Sequence, residues 1–163
     1  MKLNTFGALG LALALAACAG NSDQGNTSGT GQDTSAQQST NTGPVPGSEA
    51  DLVASAGDRV FFQLNQNQLS SEARATLDKQ ASWLARYPQV NVMVAGNCDD
   101  RGTEEYNIAL GQRRANAARA YLEAQGVNAS RITTISYGKD RPSVDGDGED
   151  AWAQNRNAIT SVR

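Results

Sequence analysis

The chain has 163 residues, a formal net charge of −3 and no histidine. That length admits one ordinary domain with extensions. The acidic balance, the sparse aromatics and the lack of a long basic run give nucleic acid no footing. The missing histidine removes the usual general base and the commonest zinc ligand.

Residues 1–17 read as an address. Lys2 supplies a positive start, and residues 6–14 form an apolar run too short to span a bilayer. Leu15-Ala16-Ala17-Cys18 follows. Small residues before a cysteine resemble a bacterial lipoprotein signal, so Cys18 is the expected lipidation site. Two or more acyl chains anchor stably where one does not. Ala19, rather than Asp, comes next, which resembles the outer-membrane sorting of such lipoproteins rather than inner-membrane retention. The plainer alternative is an ordinary secretory signal with an incidental cysteine. Acylation of Cys18 would leave Cys98 alone, so no intramolecular disulfide is expected. Cys98 stands beside Asp99, whose charge opposes thiolate formation. It reads as a small packing residue rather than a catalytic thiol.

Residues 19–48 are mostly Ser, Thr, Gly, Gln and Asn, with Asp23 and Asp33 the only charges. Such a stretch buries too little apolar surface to offset its ordering entropy. We expect lipidated Cys18 and a flexible tether over 18–50, stiffened at its end by Pro44 and Pro46. Fully stretched it would reach about 100 Å at ~3.3–3.6 Å per residue.

The folded domain is expected over 51–163. Residues 59–64 read as an apolar and aromatic strand, followed by a polar turn at Asn65 to Gln68. Ser70 or Ser71 can cap the next helix. Ala73, Leu77, Ala81 and Leu84 draw its apolar face, and Pro88 ends it. Residues 90–96 alternate as a second strand. A helical pattern follows over 105–125, with Leu110, Ala117, Ala118, Tyr121 and Leu122 on its inner stripe and Gly126 as the stop. Residues 131–137 form a third strand, and this order implies a right-handed parallel crossover. After a loop, 149–156 read as a short helix with an acidic start and 158–162 as a last strand. The expected fold is an α+β sandwich: a four-stranded mixed sheet with two main helices on one face plus a short helix.

The densest charge and turn chemistry lies over 96–116. Asp99, Asp100, Arg101 and Gly102 form a strand-to-helix loop, where open α/β sheets place ligands. Asp99 could take an ammonium group. Arg101 and the helix start could take a carboxylate. That is a site for a zwitterion, expected to be partly open to water. Arg114 shares a helical face with Leu110 and leans back towards this loop. Spacing alone leaves it equally able to pair with Glu104, Glu105 or Asp100. Asp99 and Asp100 lack the poised base and nucleophile that hydrolysis needs. Asp145, Asp147, Glu149 and Asp150 lack the twelve-residue spacing of a calcium loop and read as a solvated acidic turn. No metal, cofactor or catalytic residue is expected.

Gly96, Asn97, Asp99, Gly102, Tyr106, Asn107, Leu110, Arg114 and Ala115 fit the pattern G-[HN]-x-D-x-x-G-x-x-x-Y-N-x-x-L-x-x-x-R-A. Tyr137-Gly138, Pro142 and Asn155-Arg156 extend it. Over about 60–162 the chain thus resembles the OmpA-like peptidoglycan-binding domain family. The resemblance implies non-covalent binding of meso-diaminopimelate in peptidoglycan stem peptides. Asp99 and Arg114 would grip its amino and carboxylate ends, with Arg101 and Leu110 lining the pocket. Asn65 would join them from a turn where the family commonly carries Asp. The resemblance further implies an outer-membrane lipoprotein facing the periplasm, non-enzymatic, engaging the β-propeller protein TolB and serving envelope integrity and cell division. The chain departs from the family's commonest residues at Asn97, where many members have His, and at Asn157, where a second Arg is usual. An enzyme acting on peptidoglycan and a module chiefly for protein interaction are the rival readings.

Overall fold

The computed structural model describes residues 43–163. The signal segment, Cys18 and most of the expected tether lie outside the described residues. The elements in order are α1 (Glu49–Ser55), β1 (Arg59–Phe61), α2 (Ser71–Arg86), β2 (Val92–Asn97), α3 (Glu104–Ala124), a 3-10 turn (Ala129–Arg131), β3 (Ile132–Gly138), α4 (Glu149–Asn155) and β4 (Asn157–Val162).

The sheet order is β1-β4-β2-β3. β2 and β3 are parallel, with Val92 opposite Ile132. β4 runs antiparallel to both β1 and β2. This is the mixed four-stranded sheet that the sequence implies. The β2–β3 register shifts between Gly96 and Asn97, where the chain leaves the sheet for the Asp99 loop.

Ala73, Leu77, Ala81 and Leu84 are all buried, so α2 presents the face its periodicity predicts. They meet Val92, Val94, Leu122 and Ile132 in the core. Each large apolar side chain buried there contributes about 1.5–3 kcal/mol. Ser70 caps α2 by accepting from the Ala73 N–H at 3.2 Å. Thr103 does the same for α3 through the Tyr106 N–H. Gly126, at φ +94°, closes α3. The N–H groups of Gly126 and Val127 return to the carbonyls of Glu123 and Leu122, a reciprocal closure that satisfies two orphan acceptors.

Three features differ from the sequence reading. α1 was not expected; it starts two residues before the expected domain boundary at 51. Ser48 caps it, and Asp51 accepts from the Gly47 N–H and the Trp83 indole N–H. β1 stops at Phe61, because the chain turns at Gln63, whose carbonyl accepts from the Gln66 N–H. On α3, Ala117 and Tyr121 are only half-buried. The buried stripe instead takes in Asn107, Gly111 and Arg114 beside Leu110, Ala118 and Leu122.

Candidate functional site

The site lies beyond the carboxyl end of β2. Gly96 and Gly111 set its floor. A Cβ at Gly96 would overlap the Gly111 carbonyl, and one at Gly111 would overlap the Ser136 hydroxyl. Only glycine lets α3 lie this close to the strand. Gly102 turns the loop at φ +92°. Asn107 donates to the Arg101 carbonyl at 2.8 Å, and Lys139 donates to the Gly102 carbonyl at 3.0 Å. The loop is thereby held from both sides.

Asp99 is only 5% exposed. Its Oδ2 accepts from Arg101 Nη2 at 2.5 Å and from Arg156 Nη1 at 3.3 Å. Both guanidinium contacts fall on that one oxygen; Oδ1 receives no side-chain donor. Burial opposes ionisation of Asp99. The hydrogen bonds from Arg101 and Arg156 outweigh it and hold the carboxyl below its ordinary value.

Arg156 is fixed by three acceptors: the Phe62 carbonyl at 3.1 Å, Asp99, and Glu149 Oε1 at 2.6 Å. Arg101 is less confined. Its guanidinium stacks over the Trp152 ring at 4.0 Å and lies 3.8 Å from Glu149 Oε2. Glu149, read from sequence as part of a solvated acidic turn, is thus a member of the cluster.

Arg114 is 0% exposed. This departs from the expected partly solvated site. Nε donates to the Gln66 carbonyl at 2.9 Å, Nη1 to the Asn97 carbonyl at 2.8 Å and Nη2 to the Gln63 carbonyl at 3.1 Å. The Phe62 ring lies 5.2 Å away. Burial pushes its pKa down, with Cys98 and Asp99 acting the other way. An arginine nevertheless stays protonated. The helix-support alternative is not realised: among the described residues no carboxylate comes within ion-pair distance of Arg114.

Leu110 is buried on the same stripe of α3 as Arg114. Asn65 is exposed at φ +56°, in the turn whose flanking carbonyls Arg114 holds. The structure therefore brings Asp99 and Arg101 into direct contact, ties Arg114 to the Asn97 carbonyl at the end of β2, and sets Asn65 in the turn whose carbonyls Arg114 holds. Sequence reasoning assigned no role to Arg156 or Trp152. The Asn155-Arg156 match to the family pattern was the available signal for the first. Asn97 donates to Asn157 Oδ1 at 2.8 Å, so the two positions that depart from the family's commonest residues bond to each other. Cys98 is buried, and burial is the main cause that raises its pKa; Asp99 adds to it. A cleft of about 450 Å³ opens beside Arg156, lined by Phe61, Phe62, Gln63 and Gln154.

The model of the OmpA family matches residues 61–156. A peptidoglycan-associated lipoprotein of Agrobacterium fabrum is 46% identical over 153 residues, covering 94% of this chain and 84% of the relative. One of Pseudomonas aeruginosa is 41% identical over 160 residues, covering 96% and 95%. The crystal structure of the peptidoglycan-associated lipoprotein from Burkholderia pseudomallei superposes with a TM-score of 0.63 at 38% identity, over 65% of this chain and 90% of that one. The C-terminal domain of Helicobacter pylori MotB shares the fold, with a TM-score of 0.61 at 20% identity, over 65% and 84%. The chain belongs to the OmpA family, in the branch formed by the peptidoglycan-associated lipoproteins.

Proposed function

We propose that the loop after β2 binds the zwitterionic end of diaminopimelate in peptidoglycan stem peptides, without turning it over. One observation carries the reading: the deepest cation of the cluster, Arg114, has no counter-ion. Arg101 and Arg156 share Asp99 and Glu149, whereas among the described residues no carboxylate lies within ion-pair distance of the buried Arg114. A buried charge without an opposite charge is costly. A ligand carboxylate would supply the missing anion, and the neighbouring ammonium would lie against Asp99, whose Oδ1 receives no side-chain donor. Arg101 takes the carboxylate from the exposed side, Arg114 acts from behind, and Asn65 and Leu110 shape the rim and floor. With Cys18 lipidated, the chain ties the outer membrane to the wall from the periplasmic side.

The test is sedimentation of the full chain with purified sacculi. Wild type should co-sediment. Asp99→Ala should weaken binding by about tenfold or more, because hydrogen bonds to charged groups contribute roughly 1.5–3 kcal/mol. Release of muropeptides during the incubation would favour the enzymatic reading instead.

A second use of the same rim has its own support. Leu64 and Tyr106 are large, apolar and exposed, one in the turn held by Arg114 and the other at the start of α3. Such residues suit a protein partner of the TolB kind. Wall fragments should then compete with that partner for the chain.

A further inference from the structure

We infer that the sheet face turned away from the core is a docking groove for an extended acidic peptide segment of a partner protein. None of the residues proposed to hold diaminopimelate lines this groove, so the inference stands independently of that reading.

Val60, Val92, Val94, Ile132 and Ala158 turn one face of the sheet into the core. Strand alternation sends Met93, Ala95 and Ile159 to the other face. There a groove of about 390 Å³ opens, lined by these three together with Asn97, Tyr137 and Arg141. Met93 and Ile159 are half-buried, so the groove has an apolar floor that is still partly wet.

The polar groups along the groove define what would fill it. Asn97 Oδ1 is buried and has no partner. The Asn97 Nδ2 donates to Asn157 Oδ1, and Asn157 Nδ2 is itself committed to Ser143 Oγ and the Gln154 carbonyl. That run of donors fixes which way the Asn97 amide points. It leaves an acceptor that calls for an N–H or O–H, since buried polar groups are rarely left unpaired. Arg141 is exposed and stacks on the Tyr137 ring at 3.9 Å. Among the described residues it belongs to no ion pair. Arg59 also lines the groove, but Asp58 answers its charge at 3.0 Å. Arg141 is therefore the open cation, and a carboxylate is its complement.

The occupant must also be narrow. Ala95 is 6% exposed and Asn97 2%, so a flat lipid surface would not reach them. An extended peptide meets every condition. Its backbone supplies an N–H to Asn97, alternate apolar side chains lie on Met93, Ala95 and Ile159, and an acidic side chain reaches Arg141.

The test is titration of the isotope-labelled full chain with two N-acetylated hexapeptide amides, followed by the shifts of backbone amide resonances. One peptide alternates Glu with Val, the other Lys with Val. The Glu peptide should bind with a dissociation constant of about 1 mM or tighter. It should shift the resonances of Ala95, Asn97, Tyr137 and Ile159. The Lys peptide should bind at least about tenfold more weakly, the worth of one hydrogen bond between charged groups. Arg141→Glu should reverse the order of the two peptides. Arg141→Gln removes only the charge and should weaken the Glu peptide by about tenfold; it covers the case in which the reversal disturbs the loop. No binding, equal affinities, or shifts confined to other residues would overturn the inference. So would shifts at these four residues that follow protein concentration without peptide, since a second copy of the chain would then fill the groove.

Discussion

Gly96 in β2 and Gly111 in α3 touch through their backbones, so that neither position has room for a methyl group. Strand and helix are thereby locked at the point where the Asp99 loop leaves the sheet. Gly96→Ala or Gly111→Ala should destabilise the fold by about 1–3 kcal/mol, the usual range for overpacking, or more, because the obstacles include rigid backbone. Urea denaturation of each variant checks this. Midpoints equal to that of wild type would contradict it.

Arg114 has a structural role beside the one proposed for it at the ligand site. It joins the carbonyls of Gln63 and Gln66 on one turn to the carbonyl of Asn97 on β2. Arg114→Ala should orphan these acceptors and cost about 3 kcal/mol, since one unsatisfied buried group costs roughly 1–3 kcal/mol. Arg114→Lys should recover only part of that, because an ammonium cannot reproduce the fork. Thermal melts followed by circular dichroism give the ranking directly.

Much of this was legible before the structure. The α2 face, the Ser70 cap and the Gly126 stop rest on local rules, and each appears where the spacing puts it. The placement of Asp99 and Arg101 in one loop beyond β2 was legible, because the strand-to-helix order of the chain puts that loop there. The burial of Arg114 was not. Apolar periodicity sees Leu110, Ala118 and Leu122, but the same buried stripe carries Asn107 and Arg114, whose polar atoms are satisfied by backbone carbonyls distant in sequence. Arg156 was hidden for the same reason; its acceptors come from Phe62, Asp99 and Glu149. α1, with seven residues, is too short to show a periodic face. What fixes it is Asp51 meeting Trp83 across 32 positions.

Acid should weaken the fold partly through Asp99. Its carboxyl is held below the ordinary value in the folded state, despite burial, by Arg101 and Arg156. Its share of stability is present above the unfolded value of about 3.9 and is lost as pH falls through the lower folded value. Asp99→Asn should therefore flatten the decline in urea midpoint below about pH 4. Asp51, lowered chiefly by the Gly47 N–H against an opposing desolvation, and Glu72 keep contributing, so the decline should not vanish.

Cys98 should be a poor nucleophile in the native protein. It is buried, its Sγ donates to the Asn107 carbonyl at 3.4 Å, and burial pushes its pKa up. A chromogenic disulfide reagent at neutral pH should modify it slowly until denaturant is added. Rapid modification of folded protein would show that the loop opens.

The central claim is that this cluster reads a carboxylate and an ammonium together. Titration of the full wild-type chain with matched diaminopimelate and lysine stem peptides at fixed salt tests it most directly. A site built to bond a polar group rejects the analogue that lacks it, since its own groups are left unpaired. Tighter binding of the diaminopimelate peptide by about ten- to a hundredfold is expected, the worth of one hydrogen bond between charged groups. Equal affinities would contradict the account.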